Sequence, residues 1–296
     1  MNNMLRAWAL ACALALALPV AAEEDRPEPD VVTLKLTIGG ERMDVVAHVY
    51  KPEGKGPFPL VIFSHGRAPK AADRASMSTP VLAGHAQYWM RQGVAVVAPI
   101  RPGYGDTGGD DREYSNSRWK NGATECYTDP DFKTVAEHAR ETVVATYQWA
   151  VRQRWVRKDR ILLEGQSVGG LTTIAAAALN LPGVVGAVNF SGGAGGNPEI
   201  APEHSCRPDR LTQLYGALGT QVRVPSLWLY AENDQFWGPR VPRDWVRAFQ
   251  AGGSNVQFVR TGPVEGYDGH QLLARGGRMW APPLTAFAQK VGLVDR

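Results

Sequence analysis

Gly165-Gln166-Ser167-Val168-Gly169-Gly170 is the stretch on which the reading of this chain turns. It follows the apolar run Ile161 to Leu163 and leads into Leu171 to Leu179, a stretch long enough for a helix. A G-x-S-x-G string between a strand and a helix marks a sharp turn that lifts a serine hydroxyl above the carboxyl edge of a sheet, where ligands bind in open α/β folds. The glycines follow from the same geometry. Side chains at positions 165 and 169 would collide with the neighbouring strand and helix, while the serine is held in a strained conformation. The first-turn amides of the helix then face developing negative charge. The competing reading is a glycine-rich turn with no chemistry.

Outward from this turn, continuous apolar runs alternate with helical segments. The runs are Leu60 to Phe63, Val94 to Ala98, Ile161 to Leu163, Val184 to Phe190, Leu227 to Tyr230 and Val256 to Val259. Runs of this kind suit strands covered on both faces. Val81 to Gln92, Val135 to Val151, Leu171 to Leu179, Pro242 to Gln250 and Arg278 to Val291 fit helices between them. Val32 to Ile38, the turn Gly39-Gly40 and Met43 to Tyr50 alternate instead, which predicts an antiparallel hairpin of edge strands. The expected class is α/β, with a mostly parallel central sheet of about eight strands and helices on both faces. One domain is expected over 31–296, preceded by an acidic, proline-rich leader over 23–30.

Length and composition agree with this. The chain has 296 residues, 44% hydrophobic and 21% charged, and a formal charge of +3, an ordinary globular composition. It carries no Lys/Arg run of the kind that marks a nucleic-acid footprint, so no nucleic-acid partner is expected. Arg6, the apolar run Ala7 to Leu18 and then Pro19-Val20-Ala21-Ala22 read as a signal peptide over 1–22, cleaved after Ala22. The run is shorter than the roughly 20 residues of a spanning helix, which argues against the alternative of an uncleaved anchor. Ala9 and Leu10 fit a lipoprotein signal at Cys12 poorly. The expected location is therefore periplasmic or secreted, with no stable membrane insertion after cleavage. In such a compartment Cys126 and Cys206 are a candidate disulfide, the alternative being two buried thiols.

With Ser167 as nucleophile, the chain order serine, acid, histidine narrows the partners. Only His204 and His270 follow it. Asp234 lies just past the run Leu227 to Tyr230, in Ala231-Glu232-Asn233-Asp234, and His270 lies in Gly266-Tyr267-Asp268-Gly269-His270. His204 precedes Asp234 and would break the order, which leaves it a surface or substrate contact. Glu232 is the alternative acid, and Asp268 is too near His270 in the chain to reach its Nδ1 easily. His270 is then the base for Ser167, and Asp234 orients the imidazole. The expected oxyanion donors are the amides of Val168 and Arg67, the latter in Ser64-His65-Gly66-Arg67, where Gly66 permits close backbone approach. His65 reads as structural, and His48, His85 and His138 as ordinary surface or helix histidines.

Together, Ser64-His65-Gly66, Arg101-Pro102-Gly103-Tyr104-Gly105, Gly165-Gln166-Ser167-Val168-Gly169-Gly170, Ala231-Glu232-Asn233-Asp234 and Asp268-Gly269-His270 resemble the dienelactone hydrolase-like branch of the α/β-hydrolase superfamily. The resemblance runs from about Val45 to Val291. It implies the α/β-hydrolase fold and a serine carboxylesterase type of activity. Dienelactone hydrolases usually carry a cysteine nucleophile and are commonly cytoplasmic, whereas this chain has Ser167 and the N-terminus of an exported protein.

The long segment Arg101 to Asp131 is expected to contribute to a lid. Tyr104, Trp119 and Tyr127, with Trp237, are candidates to line an aromatic substrate pocket, or else to support the loop. Arg67 or Arg101 is a candidate to hold an acidic substrate group. The histidines and cysteines lack metal-ligand spacing, and Gly103 to Gly109 lacks the dinucleotide fingerprint, so neither metal nor cofactor is expected. The expected partner is a small-molecule or polymer ester. The rival readings are a serine peptidase of the same fold acting on short peptides, a non-catalytic hydrolase-like binding module, and acyl transfer to an acceptor other than water.

Overall fold

The computed structural model describes residues 27–120 and 125–295, so the expected signal peptide over 1–22 and the first half of the 23–30 leader lie outside the described residues. Strands β1 (Asp30–Ile38) and β2 (Glu41–Tyr50) form the antiparallel hairpin. They are followed by β3 (Phe58–Ser64), the short helix α1 (Ala71–Ala75), α2 (Ala83–Met90), β4 (Ala95–Pro99) and α3 (Phe132–Ala150). Next come β5 (Val156–Gln166), α4 (Val168–Ala177), β6 (Val184–Phe190), the small strands β7 (Gly196–Asn197) and β8 (Ala201–Ser205), and α5 (Pro208–Gly219). The described chain closes with β9 (Ser226–Ala231), α6 (Val241–Ala251), β10 (Val256–Thr261), α7 (Leu272–Arg275) and α8 (Gly277–Lys290).

Eight strands form one sheet in the order β1-β2-β4-β3-β5-β6-β9-β10, parallel from β4 to β10. The expectation of two edge strands holds for β1 alone. β2 also pairs antiparallel with β4, Ala47 opposite Pro99, which places it inside the sheet. Successive residues of the central strands face opposite sides. Leu60, Ile62, Ile161, Leu163, Trp228 and Tyr230 join the core under α3, α4, α5 and α6. Val61, Phe63, Leu162, Leu227 and Leu229 join the core under α2 and α8. This two-sided burial is why the strands read as unbroken apolar runs.

α5 and the β7–β8 pair were not anticipated. Two irregular features reach the carboxyl edge: the segment between β4 and α3, and the β7–β8 ribbon. Cys126 in the first is bridged to Cys206 beside the second, with Cα atoms 5.1 Å apart and a sequence separation of 80. Among the described residues no helix is long and apolar enough to cross a membrane.

Candidate active site

Ser167 stands between β5 and α4 with φ 58° and ψ −126°, a conformation an L-residue adopts only under constraint. Its N–H donates to Phe190 O at 2.9 Å, which pins the turn to β6. The flanking glycines are required sterically. A Cβ on Gly165 would lie 2.8 Å from Ser64 O, and one on Gly169 would overlap the carbonyl oxygens of Ser64 and His65.

Asp234 and His270 meet above the carboxyl ends of β9 and β10. The His270 imidazole faces the Asp234 carboxylate, with Nδ1 3.0 Å from Oδ2 and 3.3 Å from Oδ1. Asp234 is fully buried, and its Oδ1 also accepts from the amides of Phe236 at 2.8 Å and Trp237 at 3.2 Å. A carboxylate fixed from the backbone side has one free direction, toward His270. Gly269 permits the approach of the two loops, because a Cβ there would lie 2.5 Å from Asp234 N. Asp268 serves the turn instead, accepting from Gln235 N at 2.9 Å and His270 N at 2.8 Å. The alternative acid, Glu232, is paired with Arg260. His204 is exposed, its Nδ1 on Pro202 O, and it does not join the site.

Gln166, beside Ser167, donates from Nε2 to His270 O at 2.9 Å and ties the two loops together. Among the described residues the Ser167 hydroxyl makes no hydrogen bond to the imidazole. Apo serine–histidine contacts are often long and tighten when substrate binds. The N–H of Val168, first residue of α4, and that of Arg67 have no hydrogen-bond partner among the described residues. Gly66 lies against the serine, where an added Cβ would be 3.3 Å from Ser167 Cβ. Two unpartnered donors beside a raised hydroxyl form a receptor for a negatively charged oxygen.

A cavity of about 220 Å³ opens here, lined by Ser167, Val168, Arg67, Glu113, Ser115, Ser117, Trp119, Asn197, Phe236 and Trp237 among others. Of the aromatic candidates, Trp119 and Trp237 line this cavity. Tyr104 does not. It is fully buried beside the Ser64–Arg67 loop, its hydroxyl donating to Glu113 Oε2 at 2.6 Å and accepting from Arg67 Nη1 at 3.2 Å. Burial, with Glu113 beside it, pushes this phenol up to about 12. Tyr127 is exposed and lies outside the cavity wall.

The two arginines offered as substrate anchors are already engaged. Arg67 makes a bidentate pair with Asp111 at 2.7 and 2.6 Å. Burial opposes ionisation of Asp111, yet Arg67 and Arg74 hold its carboxyl below the usual range. Arg101, 1% exposed, donates from Nε to Glu113 Oε1 at 2.5 Å and from Nη2 to Oε2 at 3.1 Å. It also reaches Ser64 Oγ at 3.0 Å, His65 O at 2.6 Å and Gly66 O at 3.3 Å. His65 is structural, as expected. Its Nε2 accepts from Arg101 N at 3.0 Å, so Nδ1 carries the proton and donates to Gly66 O at 2.7 Å. Burial and the nearby Arg101 charge hold this imidazole well below its ordinary pKa.

Of the remaining histidines, His85 and His138 lie in α2 and α3. His48 is neither surface nor helical but buried in β2. His85 Nε2 lies 3.0 Å from Glu164 Oε2, inside the core on the other face of the sheet. Among the described residues no cluster of His, Cys, Asp or Glu has a metal-binding arrangement.

No protein-family model and no curated protein sequence matches the chain. Solved structures do resemble it. A puromycin-hydrolysing peptidase from Mycobacterium tuberculosis matches with TM-score 0.57 at 17% identity, over 90% of this chain and 40% of that one. A Pyrococcus furiosus esterase matches with TM-score 0.57 at 12% identity, over 88% of this chain and 91% of the esterase. A protein designated a dienelactone hydrolase in Klebsiella pneumoniae matches with TM-score 0.54 at 18% identity, over 88% and 98% of the two chains. At these identities the likeness establishes the fold alone, an α/β-hydrolase fold, and the structural neighbours named are hydrolases.

Proposed function

We propose that the chain is an exported serine hydrolase that cleaves carboxylic esters through an acyl-enzyme intermediate. The observation that carries this reading is the strained Ser167 beside two unpartnered N–H groups, with His270 held by Asp234 at 3.0 Å. In the first half-reaction Ser167 Oγ attacks the ester carbonyl while His270 Nε2 takes its proton. Asp234 stabilises the imidazolium and keeps its ring in register. The carbonyl oxygen becomes an oxyanion, which accepts from Val168 N and Arg67 N. As the tetrahedral intermediate collapses, the C–O bond to the alcohol breaks and His270 returns the proton to the departing oxygen. Water then attacks the acyl-enzyme, giving its proton to His270, and the second collapse releases the acid and restores the Ser167 hydroxyl.

The small cavity, with Ser115, Ser117 and Asn197 on its wall, supports compact and polar esters over long aliphatic ones. Export is supported by the N-terminal sequence 1–22 and by the Cys126–Cys206 bridge.

A second reading, cleavage of an amide by the same groups, is favoured by the peptidases among the structural neighbours. One experiment addresses both: hydrolysis of p-nitrophenyl acetate, butyrate and octanoate, of aminoacyl p-nitroanilides and of puromycin, with Ser167→Ala, Asp234→Asn and His270→Ala alongside. Ester turnover that prefers acetate and is lost in all three variants supports the proposal. Amide turnover with no ester turnover would replace it by the second reading, and turnover that survives Ser167→Ala would overturn both.

A further inference from the structure

Three consecutive acceptors, Ser64 Oγ, His65 O and Gly66 O, are gathered by the one guanidinium of Arg101. They are the residues immediately before Arg67, whose N–H has no hydrogen-bond partner among the described residues and which lines the same cavity as Ser167. A guanidinium is a rigid planar fork, so fixing it fixes the path of the backbone it holds. Buried as it is, Arg101 needs a counter-charge, and losing the partner of a buried ion leaves that charge uncompensated. Glu113 supplies the partner with both carboxylate oxygens.

Glu113 comes from a different part of the site. It sits in the pocket-lining segment that also presents Ser115, Ser117 and Trp119 to the cavity. Tyr104 closes the circuit, joining Glu113 to the Arg67 side chain. The cavity wall and the oxyanion loop are thus held through one ion pair.

We propose that Arg101 and Glu113 are positioning residues for the oxyanion hole, holding the Arg67 N–H in its receptor orientation only while the segment around Glu113 is seated. This rests on the reading of Ser167 as nucleophile. Neither side chain touches the reacting atoms, so the effect appears where negative charge develops on the carbonyl oxygen and not in ground-state binding.

The test uses Glu113→Gln, Arg101→Lys and Tyr104→Phe, with Val143→Ala in the α3 core as a stability control remote from the site. Each protein is assayed for kcat and KM on p-nitrophenyl acetate. Each is also assayed for inhibition by a trifluoromethyl ketone, which adds reversibly to a serine hydroxyl and turns its ketone oxygen into an oxyanion. The expected result for Glu113→Gln and Arg101→Lys is a fall in kcat of about ten- to a hundredfold, below the full loss of an oxyanion donor. KM should stay within about twofold, and the inhibitor constant should rise in parallel with the kcat loss. Tyr104→Phe, which keeps the ion pair and the ring packing, keeps the fold testable should Arg101→Lys misfold, and is expected to show the same pattern more weakly. Three outcomes in an active wild type overturn the proposal: kcat unchanged, a rise in KM alone, or losses no larger than those of Val143→Ala at equal melting temperature. A folded wild type that neither turns over ester nor binds the ketone overturns the serine reading itself.

Discussion

Phe236 lies over the imidazole of His270, ring centroids 4.0 Å apart and planes inclined by 26°. Trp237 meets the same ring edge-on at 5.5 Å. The Asp234 carboxylate holds Nδ1, but contacts through that one ring atom leave the ring free to tilt about it. An aromatic pair contributes about 0.5–1.5 kcal/mol. Phe236→Ala is therefore expected to lower kcat on p-nitrophenyl acetate by about two- to tenfold with little change in melting temperature. Steady-state kinetics checks this, and an unchanged kcat would show that Asp234 alone orients the base.

The strain at Ser167 separates stability from activity. With φ at 58°, a β-carbon at this position is disfavoured whatever its functional group. Ser167→Ala and Ser167→Gly are both expected to be inactive. Ser167→Gly should be the more stable of the two by about 1 kcal/mol, the lower end of the cost of such conformations. Urea unfolding of both variants makes the comparison, and equal midpoints would mean that the turn is not strained in solution.

The bridge between Cys126 and Cys206 anchors the pocket-lining segment. Closing an 80-residue separation restricts the unfolded chain by about 4 kcal/mol in the chain-entropy estimate. Cys126→Ser with Cys206→Ser is expected to lower the melting temperature by several degrees and to raise KM more than it lowers kcat. Thermal unfolding and kinetics with and without a reductant that opens the bridge should agree with the double variant. A reductant that shifts neither would place the stabilisation elsewhere.

His65 gives the protein an acid-sensitive point. Its folded pKa is depressed, by burial first and by Arg101 second, so the folded state resists a proton that the unfolded state accepts. The stability it contributes is fully present above the ordinary histidine value of 6.5 and is lost as pH falls below it. The melting temperature is expected to drop from about pH 6.5 downward in wild type, and less steeply in His65→Gln. Parallel curves for the two proteins would assign the acid sensitivity to other groups, of which buried His48 is one.

What the sequence conveyed well was local or strictly ordered. The 165–170 turn carries its own steric signature, and chain order set His204 behind His270, while the choice between Asp234 and Glu232 needed the structure, which puts the Asp234 carboxylate on His270 and pairs Glu232 with Arg260. The central strands were legible because burial on both faces writes an unbroken apolar run. Arg101, Glu113 and Tyr104 were misread or passed over because their meaning lies in pairing between a strand end and an irregular loop, which has no periodicity to read. Glu164 and His85 are 79 residues apart and face each other inside the core, where neither neighbourhood announces a partner. The interior place of β2 depends on its pairing with β4, a contact invisible to local alternation. α5 was open to detection. Proline begins it, and Leu211, Tyr215 and Leu218 recur at helical spacing on its buried face.

The bridge also has a topological meaning. The chain between Cys126 and Cys206 includes α3, β5, Ser167, α4 and β6, so the Ser167 turn sits inside a covalent ring. A protease that nicks the exposed stretch around Ile200 or the turn after Leu179 cuts this ring once and releases no fragment. Both halves stay covalently linked through the bridge, so reassembly of the nicked chain is intramolecular. A single bond placed here keeps the two halves of a nicked chain together around the Ser167 turn, independently of how tightly they pack.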